Sequence, residues 1–178
     1  MLLGISGSLR AGSTNAQLMR EAARKYGGSF IEANLRLPLY DNDLEDRGIP
    51  EEVVTLAHQI DQAEAVVIST PEYNQSFSGV LKNALDWVSR VNDVKPWSGK
   101  PVALMSAAAG RSGGARANYA LRLAMTSFRP RMLSRELLLA GSRSAFDDEG
   151  RLTSERVEAQ VEELMAALKD EVALIQGH

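Results

Sequence analysis

Three segments gather residue types able to do chemistry: Gly7–Asn15 (GSLRAGSTN), Pro71–Trp87 (PEYNQSFSGVLKNALDW) and Ser106–Tyr119 (SAAAGRSGGARANY). The first sets Ser8, Ser13, Thr14 and Asn15 around one guanidinium, Arg10, at the start of a helical pattern. Backbone N–H groups point outward at such a helix start, and the helix dipole favours negative charge there. The chemistry is that of a phosphate site, and the spacing narrows the phosphate. Gly7 and Gly12 have P-loop spacing, but Ser13 stands where the P-loop lysine belongs, which argues against nucleoside triphosphate hydrolysis. Gly4, Gly7 and Gly12 also miss the G-x-G-x-x-G spacing of dinucleotide binders. Hydroxyls crowded around one arginine suit a terminal monophosphate dianion, as on a mononucleotide.

In the second segment Pro71 and Gly79 bracket a stiff stretch that presents Tyr73 and Asn74, where a flat, neutral ring system can rest. Leu81, Leu85 and Val88 read as core, and Lys82 and Asp86 as an i,i+4 pair. In the third, Gly110, Gly113 and Gly114 with Ala107–Ala109 are expected to let backbone approach a ligand closely and leave room for a second, stacking reactant.

Elements must bring these segments to one place. Leu2–Ile5 reads as a first strand and Thr14–Tyr26 as a helix opened by a Thr14-x-x-Gln17 capping box. Phe30–Leu35 is a weak second strand, and Pro50 opens a second helix with apolar face Val53, Leu56, Ala57 and Ile60. Ala65–Thr70 is β-branched and continuous, the pattern of a strand covered on both faces. A helix around Val80–Val88, a strand Pro101–Met105, a helix Ala115–Phe128, a strand Met132–Leu139 and a last helix from about Ser154 to Ile175 complete the chain. Five strands interleaved with five helices predict an α/β fold, a doubly wound parallel sheet with helices on both faces. Ligands of such sheets bind beyond the strands' carboxyl ends, where the winding reverses. The loops after the first, third and fourth strands are the three segments above.

Composition bounds the rest. A chain of 178 residues suits one domain, taken as 1–178. There is no cysteine, and the two histidines are His58 and His178, so thiol chemistry, disulfides, Fe–S clusters and multi-histidine metal sites are not expected. Electrons, if handled, would reside on a bound group. A net charge of −3 carries no electrostatic footprint for nucleic acid. The absence of an 18-residue apolar run or a signal-peptide pattern points to no membrane association and a cytoplasmic protein.

GSLRxxSxN after the first strand, PEYNxSxxGxLKNALDW after the third and GxxGGAR in the third loop resemble the NAD(P)H-dependent FMN reductase family, a flavodoxin-like group that includes bacterial quinone, chromate and azo reductases. The resemblance covers most of the chain up to about Leu139 and implies a five-stranded sheet of order 2-1-3-4-5. It implies that Ser8, Arg10, Ser13 and Asn15 hold the FMN phosphate, that Pro71, Glu72, Tyr73 and Asn74 line the isoalloxazine, and that Ser106–Gly110, including Ala108, border its other edge. Three positions depart from relatives: Ala107 and Ala108 offer only backbone groups, and Gln75 follows Asn74 where an aromatic residue can stand.

The resemblance also implies NADPH or NADH as electron donor, a small-molecule electron acceptor and a homodimer or homotetramer, with Arg116, Tyr119 and Glu136 as candidates for contacts between subunits. The expected function is hydride transfer from a reduced nicotinamide through FMN to quinone, azo, nitro, chromate or flavin acceptors by a ping-pong mechanism. No side-chain acid–base pair is needed, because the cofactor carries the chemistry. The alternative is a flavodoxin-type carrier that holds FMN without oxidising NAD(P)H. His58 reads as solvated, and Trp87 and Trp97 as packing or interface anchors.

Overall fold

The computed structural model describes residues 1–177; His178 lies outside them. Strands β1 (Leu2–Ser6), β2 (Phe30–Glu32), β3 (Ala65–Thr70), β4 (Pro101–Ala107), β5 (Arg131–Met132) and β6 (Leu137–Leu139) alternate with helices α1 (Thr14–Tyr26), α2 (Asn42–Glu45), α3 (Glu51–Gln62), α4 (Gly79–Val88), α5 (Ala115–Met125) and α6 (Glu155–Gln176). The sheet is parallel, in the order β2-β1-β3-β4-β5, with β6 also paired to β4.

Alternation along the strands builds two cores. Side chains of successive strand residues point to opposite faces. Leu3, Ile5, Val66, Ile68, Val102 and Leu104 therefore meet α3, α4 and α5 on one side. Leu2, Val67, Ala103 and Met105 meet α1 and α6 on the other. Each Val, Leu, Ile or Met among them contributes roughly 1.5–3 kcal/mol by leaving water. Trp87, fully buried, donates its indole N–H to Pro38 O at 2.8 Å and packs nearly perpendicular to the Tyr40 ring with centroids 5.0 Å apart, so it anchors the β2–α3 connection.

The expected fifth strand, Met132–Leu139, is interrupted. Val102 pairs with Met132 and Met105 with Leu137, so β4 advances three residues while its neighbour advances five. The two extra residues bulge out around Ser134–Glu136, where α5 holds them: Arg122 Nη1 donates to Leu133 O at 2.8 Å, and Tyr119 Oη to Glu136 Oε1 at 3.3 Å. Ser134, Arg135 and Glu136 are polar in a segment otherwise apolar, and they mark the break.

The first helix has the expected bounds but a different cap. Ser13 Oγ, not Thr14, accepts from the N–H of Ala16. The loop after β2 also contains the short α2, capped by Asp41, whose side chain accepts from the Asp43 N–H. No helix among the described residues is long and apolar enough to cross a membrane.

Candidate functional site

The winding reverses between β1 and β3, and their carboxyl ends are joined by Gly7 N–H donating to Ser69 O at 2.8 Å. The loop Gly7–Ser13 leaves β1 here and turns into α1, with the Ser13 N–H bonded to Arg10 O. Ser13 caps one amide of the first turn, and the N–H groups of Thr14 and Asn15 ahead of it have no acceptor among the described residues. These donors, the Ser8 hydroxyl and the exposed Arg10 guanidinium face one cleft of about 510 Å³. Ligand sites are typically of this size. A phosphate placed there meets a helix dipole, free amides and a full positive charge.

Asn15 has a structural duty besides its place on the wall. Its side chain is 3% exposed and is used by the protein itself. Oδ1 accepts from Ser69 Oγ at 2.8 Å and from the Ala107 N–H at 2.9 Å, while Nδ2 donates to Ala107 O at 3.0 Å. One amide thus ties the phosphate-side loop to the ends of β3 and β4, with its own backbone N–H left toward the cleft.

The second loop is a tight hairpin turn. Tyr73 and Ser76 exchange both backbone hydrogen bonds, at 2.9 and 3.0 Å, across Asn74 (φ 48°) and Gln75 (φ 67°). Left-handed conformations at both central positions define a type I′ turn, which favours Asn then Gly. Gln75 carries a side chain where glycine would be unstrained, and Tyr73 stands 56% exposed beside the cleft. Asn74 sits at the turn apex, away from the cleft wall.

Glu72 also does structural work. Helix α5 begins after Gly114, which has no side chain to cap it. Glu72 Oε2 supplies the missing acceptor, taking N–H groups from Arg116 at 3.1 Å and Ala117 at 3.4 Å. A carboxylate at a helix N-terminus is doubly favoured, by the hydrogen bonds and by the dipole.

The glycines of the third loop were expected to admit a ligand; two of them admit protein instead. A Cβ at Gly113 would lie 2.6 Å from the carbonyl carbon of Leu138, and at Gly114 3.0 Å from Ser106 Cβ. Their φ values of +61° and +85° also favour glycine. Gly7 is similar: a Cβ there would meet Ser78 Oγ at 2.9 Å and Thr70 Oγ1 at 3.1 Å, so the first two loops nest through it. Ser106 is fully buried and donates to Gly113 O at 2.7 Å, below the cleft, and Gly110 is exposed beyond its wall. Ala108 does line the cleft, but its N–H is given to Leu139 O and its carbonyl accepts from Ser142 N–H.

That last pair of bonds introduces a fourth wall, which the sequence reading passed over. After β6, Gly141 (φ 60°) turns the chain into a short 3₁₀ turn, Ser142–Ser144, and Ser142 and Arg143 face the cleft with Thr14, Ala107 and Ala109. The available signal was positional: this loop also follows a strand's carboxyl end, and its GSRS sequence has the Gly/Ser character of the others. The structure thus assembles Ser8, Arg10, Ser13, Asn15, Pro71, Glu72, Tyr73 and Ala108 around one cleft, and leaves Asn74, Ser106 and Gly110 outside its wall.

The electrostatics are lopsided. Arg20, Arg90, Arg116, Arg122, Arg131, Arg135 and Arg151 each have a carboxylate partner. Among the described residues, Arg10, Arg111 and Arg143, on loops at the carboxyl edge of the sheet, have none; elsewhere Arg129 and Arg156 also have none, and Arg36 and Arg47 donate to backbone carbonyls instead. The three residues considered for subunit contacts have partners within the chain: Arg116 reaches Glu72 at 3.8 Å, and Tyr119 bonds Glu136. The cleft therefore offers an uncompensated cationic, donor-rich end and an aromatic wall, which fit the phosphate and the ring of FMN.

Comparison with known proteins agrees with this geometry. The family model described as NADPH-dependent FMN reductase matches residues 1–143. A Pseudomonas aeruginosa protein described as an NAD(P)H-dependent FMN reductase is 40% identical over 180 residues, covering 99% of this chain and 97% of the relative. The quinone reductase of Escherichia coli K12 is 47% identical over 122 residues, which cover 65% of this chain and 64% of that protein. Among solved structures, the flavoenzyme NAD(P)H:(acceptor) oxidoreductase FerB of Paracoccus denitrificans superposes with a TM-score of 0.87 at 31% identity, over 97% of this chain and 96% of that one. The flavodoxin-like sheet, the phosphate-side cleft and these matches lead to one assignment: the chain is an oxidoreductase that uses FMN with NAD(P)H as electron donor, and it belongs to the NADPH-dependent FMN reductase family.

Proposed function

We propose that the chain, as a single domain, passes reducing equivalents from NADPH or NADH to small oxidised aromatics, quinones foremost, with nicotinamide and acceptor using the same open cleft in turn. One observation carries this reading: a single cleft whose cationic end is filled by Arg10 and the α1 amides, and whose only aromatic wall, Tyr73, is left exposed. Bound FMN supplies the hydride and electron transfer. The protein's residues position it. Ser8, Arg10, Ser13 and the amides of Thr14 and Asn15 hold the phosphate. Pro71 and the Tyr73 turn support the ring, and Ala107–Ala109 present small side chains that leave the facing side open to a stacking reactant. Azo, nitro, chromate and free flavin acceptors fit the same open geometry, and the quinone reductase relatives favour quinones.

Steady-state rates with FMN-loaded protein, varying NADPH at several benzoquinone concentrations, are expected to give parallel double-reciprocal lines. Intersecting lines would mean that both reactants bind together and would refute sequential use of the cleft. Rapid anaerobic bleaching of the flavin by NADPH separates the reductase from a carrier that merely stores electrons. We propose that Arg111, exposed and without a carboxylate partner among the described residues, meets the 2′-phosphate of NADPH, whereas Arg116 is held by Glu72. Arg111→Ala should lower the NADPH/NADH preference, and an unchanged ratio removes Arg111 from that role. We further propose a cytoplasmic homodimer or homotetramer, supported by Tyr119 and Leu123, which stand 54% and 74% exposed one turn apart on α5.

A further inference from the structure

We infer that the turn Ser142–Arg143 is a second half of the phosphate site, clamping a phosphate monoester from the side opposite Arg10. This deepens the FMN reading above and rests on it. Three observations place the turn there. Thr14 Oγ1 and Ser142 Oγ lie 3.3 Å apart, so the Ser142 hydroxyl stands at the first residue of α1, beside the free amides. Ser142 is 4% exposed and is fixed by donating its N–H to Ala108 O at 3.1 Å, while the Ala108 N–H is held by Leu139 O at 3.0 Å. The turn is therefore stitched to the third loop rather than free at the surface. Arg143 then follows on the same 3₁₀ turn, faces the cleft that Arg10 enters from the other loop, and has no carboxylate partner among the described residues.

A helix start with one arginine can hold one edge of a dianion. A second guanidinium from the opposite wall neutralises the remaining charge and supplies a planar fork for two of its oxygens. Ser142 links the two halves, because its hydroxyl can donate to the same phosphate while accepting from Thr14. The Gly141 left-handed conformation (φ 60°) is what reverses the chain after β6 and aims Ser142 and Arg143 back at α1.

The phosphate monoester has two sources, the 5′-phosphate of FMN and the 2′-phosphate of NADPH, and the experiment has an arm for each. Flavin binding to the apoprotein is followed by quenching of flavin fluorescence, with FMN and with riboflavin, which lacks the phosphate. Arg143→Ala should weaken FMN roughly tenfold or more, the scale of one charge-assisted hydrogen bond, and leave riboflavin within about twofold. Arg143→Lys, which keeps the charge and loses the fork, should recover part of the loss, and Ser142→Ala should weaken FMN by a few-fold. If instead FMN binding is unchanged and KM for NADPH rises while KM for NADH does not, Arg143 reads the nicotinamide's phosphate and the clamp on the Arg10 site is overturned. Equal losses for FMN and riboflavin, or no change in any of the four ligands, overturn the clamp. Wild-type protein that binds neither flavin overturns the underlying FMN reading, and the clamp with it.

Discussion

The two edges of the sheet are built from the same kinds of connection and treat their polar groups in opposite ways. At the amino edge, the chain closes on itself. Lys100 Nζ donates to Asp61 O at 2.9 Å and also to Ala63 O, Gly99 N–H meets Arg129 O, and the Met1 ammonium and Tyr26 hydroxyl both meet Glu64, at 3.0 and 2.9 Å. At the carboxyl edge, among the described residues, Arg10, Arg111 and Arg143 lack carboxylates, two amides of α1 lack acceptors, and Asn74 and Gln75 sit at positive φ, whereas the amino edge has one such residue, Arg129 (φ 56°). The contrast separates holding the fold from holding a ligand. Unspent donors and backbone strain gather where a rigid surround tolerates them, and at the carboxyl edge that surround is the cross-linking of the four loops by Asn15, Glu72 and Ser142.

Asn15 is the residue most able to break that division, because it sits at the ligand edge and acts on the fold. Asn15→Ala should destabilise the protein by about 3 kcal/mol, since it strands the N–H and carbonyl of Ala107 and the Ser69 hydroxyl in a buried place. The urea midpoint measures it. A loss below about 1 kcal/mol would mean that the loops do not need this amide. Arg10→Ala tests the complementary side: because Arg10 is exposed and has no carboxylate partner among the described residues, the variant should weaken FMN by roughly 10–100-fold, the worth of a charge-assisted contact, with the urea midpoint unmoved. Comparable loss of riboflavin affinity would show that Arg10 does not read the phosphate.

A smaller effect of opposite sign is expected at the strained turn. Gln75→Gly converts Asn74–Gln75 to the Asn–Gly pair that a type I′ turn prefers, so stability should rise by about 0.5 kcal/mol, after the greater chain entropy of glycine is subtracted. A thermal melt of the apoprotein reads the gain. If KM for the acceptor rises in the same variant, strain at the carboxyl edge serves to present Tyr73.

How much of this was legible follows the range of the interactions. Helix α1 and strand β3 have the bounds read from their periodicity, because amphipathic spacing and β-branching are local properties. The Thr14-x-x-Gln17 spacing puts the cap at Thr14 and the structure puts it one residue earlier, because Ser13 and Thr14 are chemically equivalent caps and only the backbone decides between them. The break between β5 and β6 depends on α5 side chains that hold the bulge, and the clasp made by Asn15 joins groups 92 residues apart. The clasp leaves no local pattern, and the break leaves only the polar Ser134–Glu136 in an apolar run, which does not say what holds it. Gly113 shows the same limit: glycine announces a close approach, but its neighbour, the Leu138 backbone rather than a ligand, is a tertiary fact. The cleft's phosphate end was readable from loop composition because its donors are contiguous. Its fourth wall was not, because Ser142 joins Thr14 only through the fold.

The smallest effect isolates the amino edge. The hydrogen bonds from the Met1 ammonium and the Tyr26 hydroxyl hold the Glu64 carboxyl below its ordinary range, while burial and then Glu64 itself push the Tyr26 phenol up. A carboxyl whose folded pKa is depressed stabilises the fold above its unfolded value, near 4.5, and loses that contribution as pH falls through the folded value. Because the Glu64 side chain is 34% exposed, solvent screening limits the contribution to a few tenths of a kcal/mol. Urea midpoints between pH 3 and pH 7 should show the wild type ahead of Glu64→Gln at neutral pH and the two converging in acid, with FMN affinity at pH 7 the same in both. A gap that persists or widens below pH 4 would mean that Glu64 acts through packing rather than charge. A change in flavin affinity would mean that the two edges of the sheet are coupled after all.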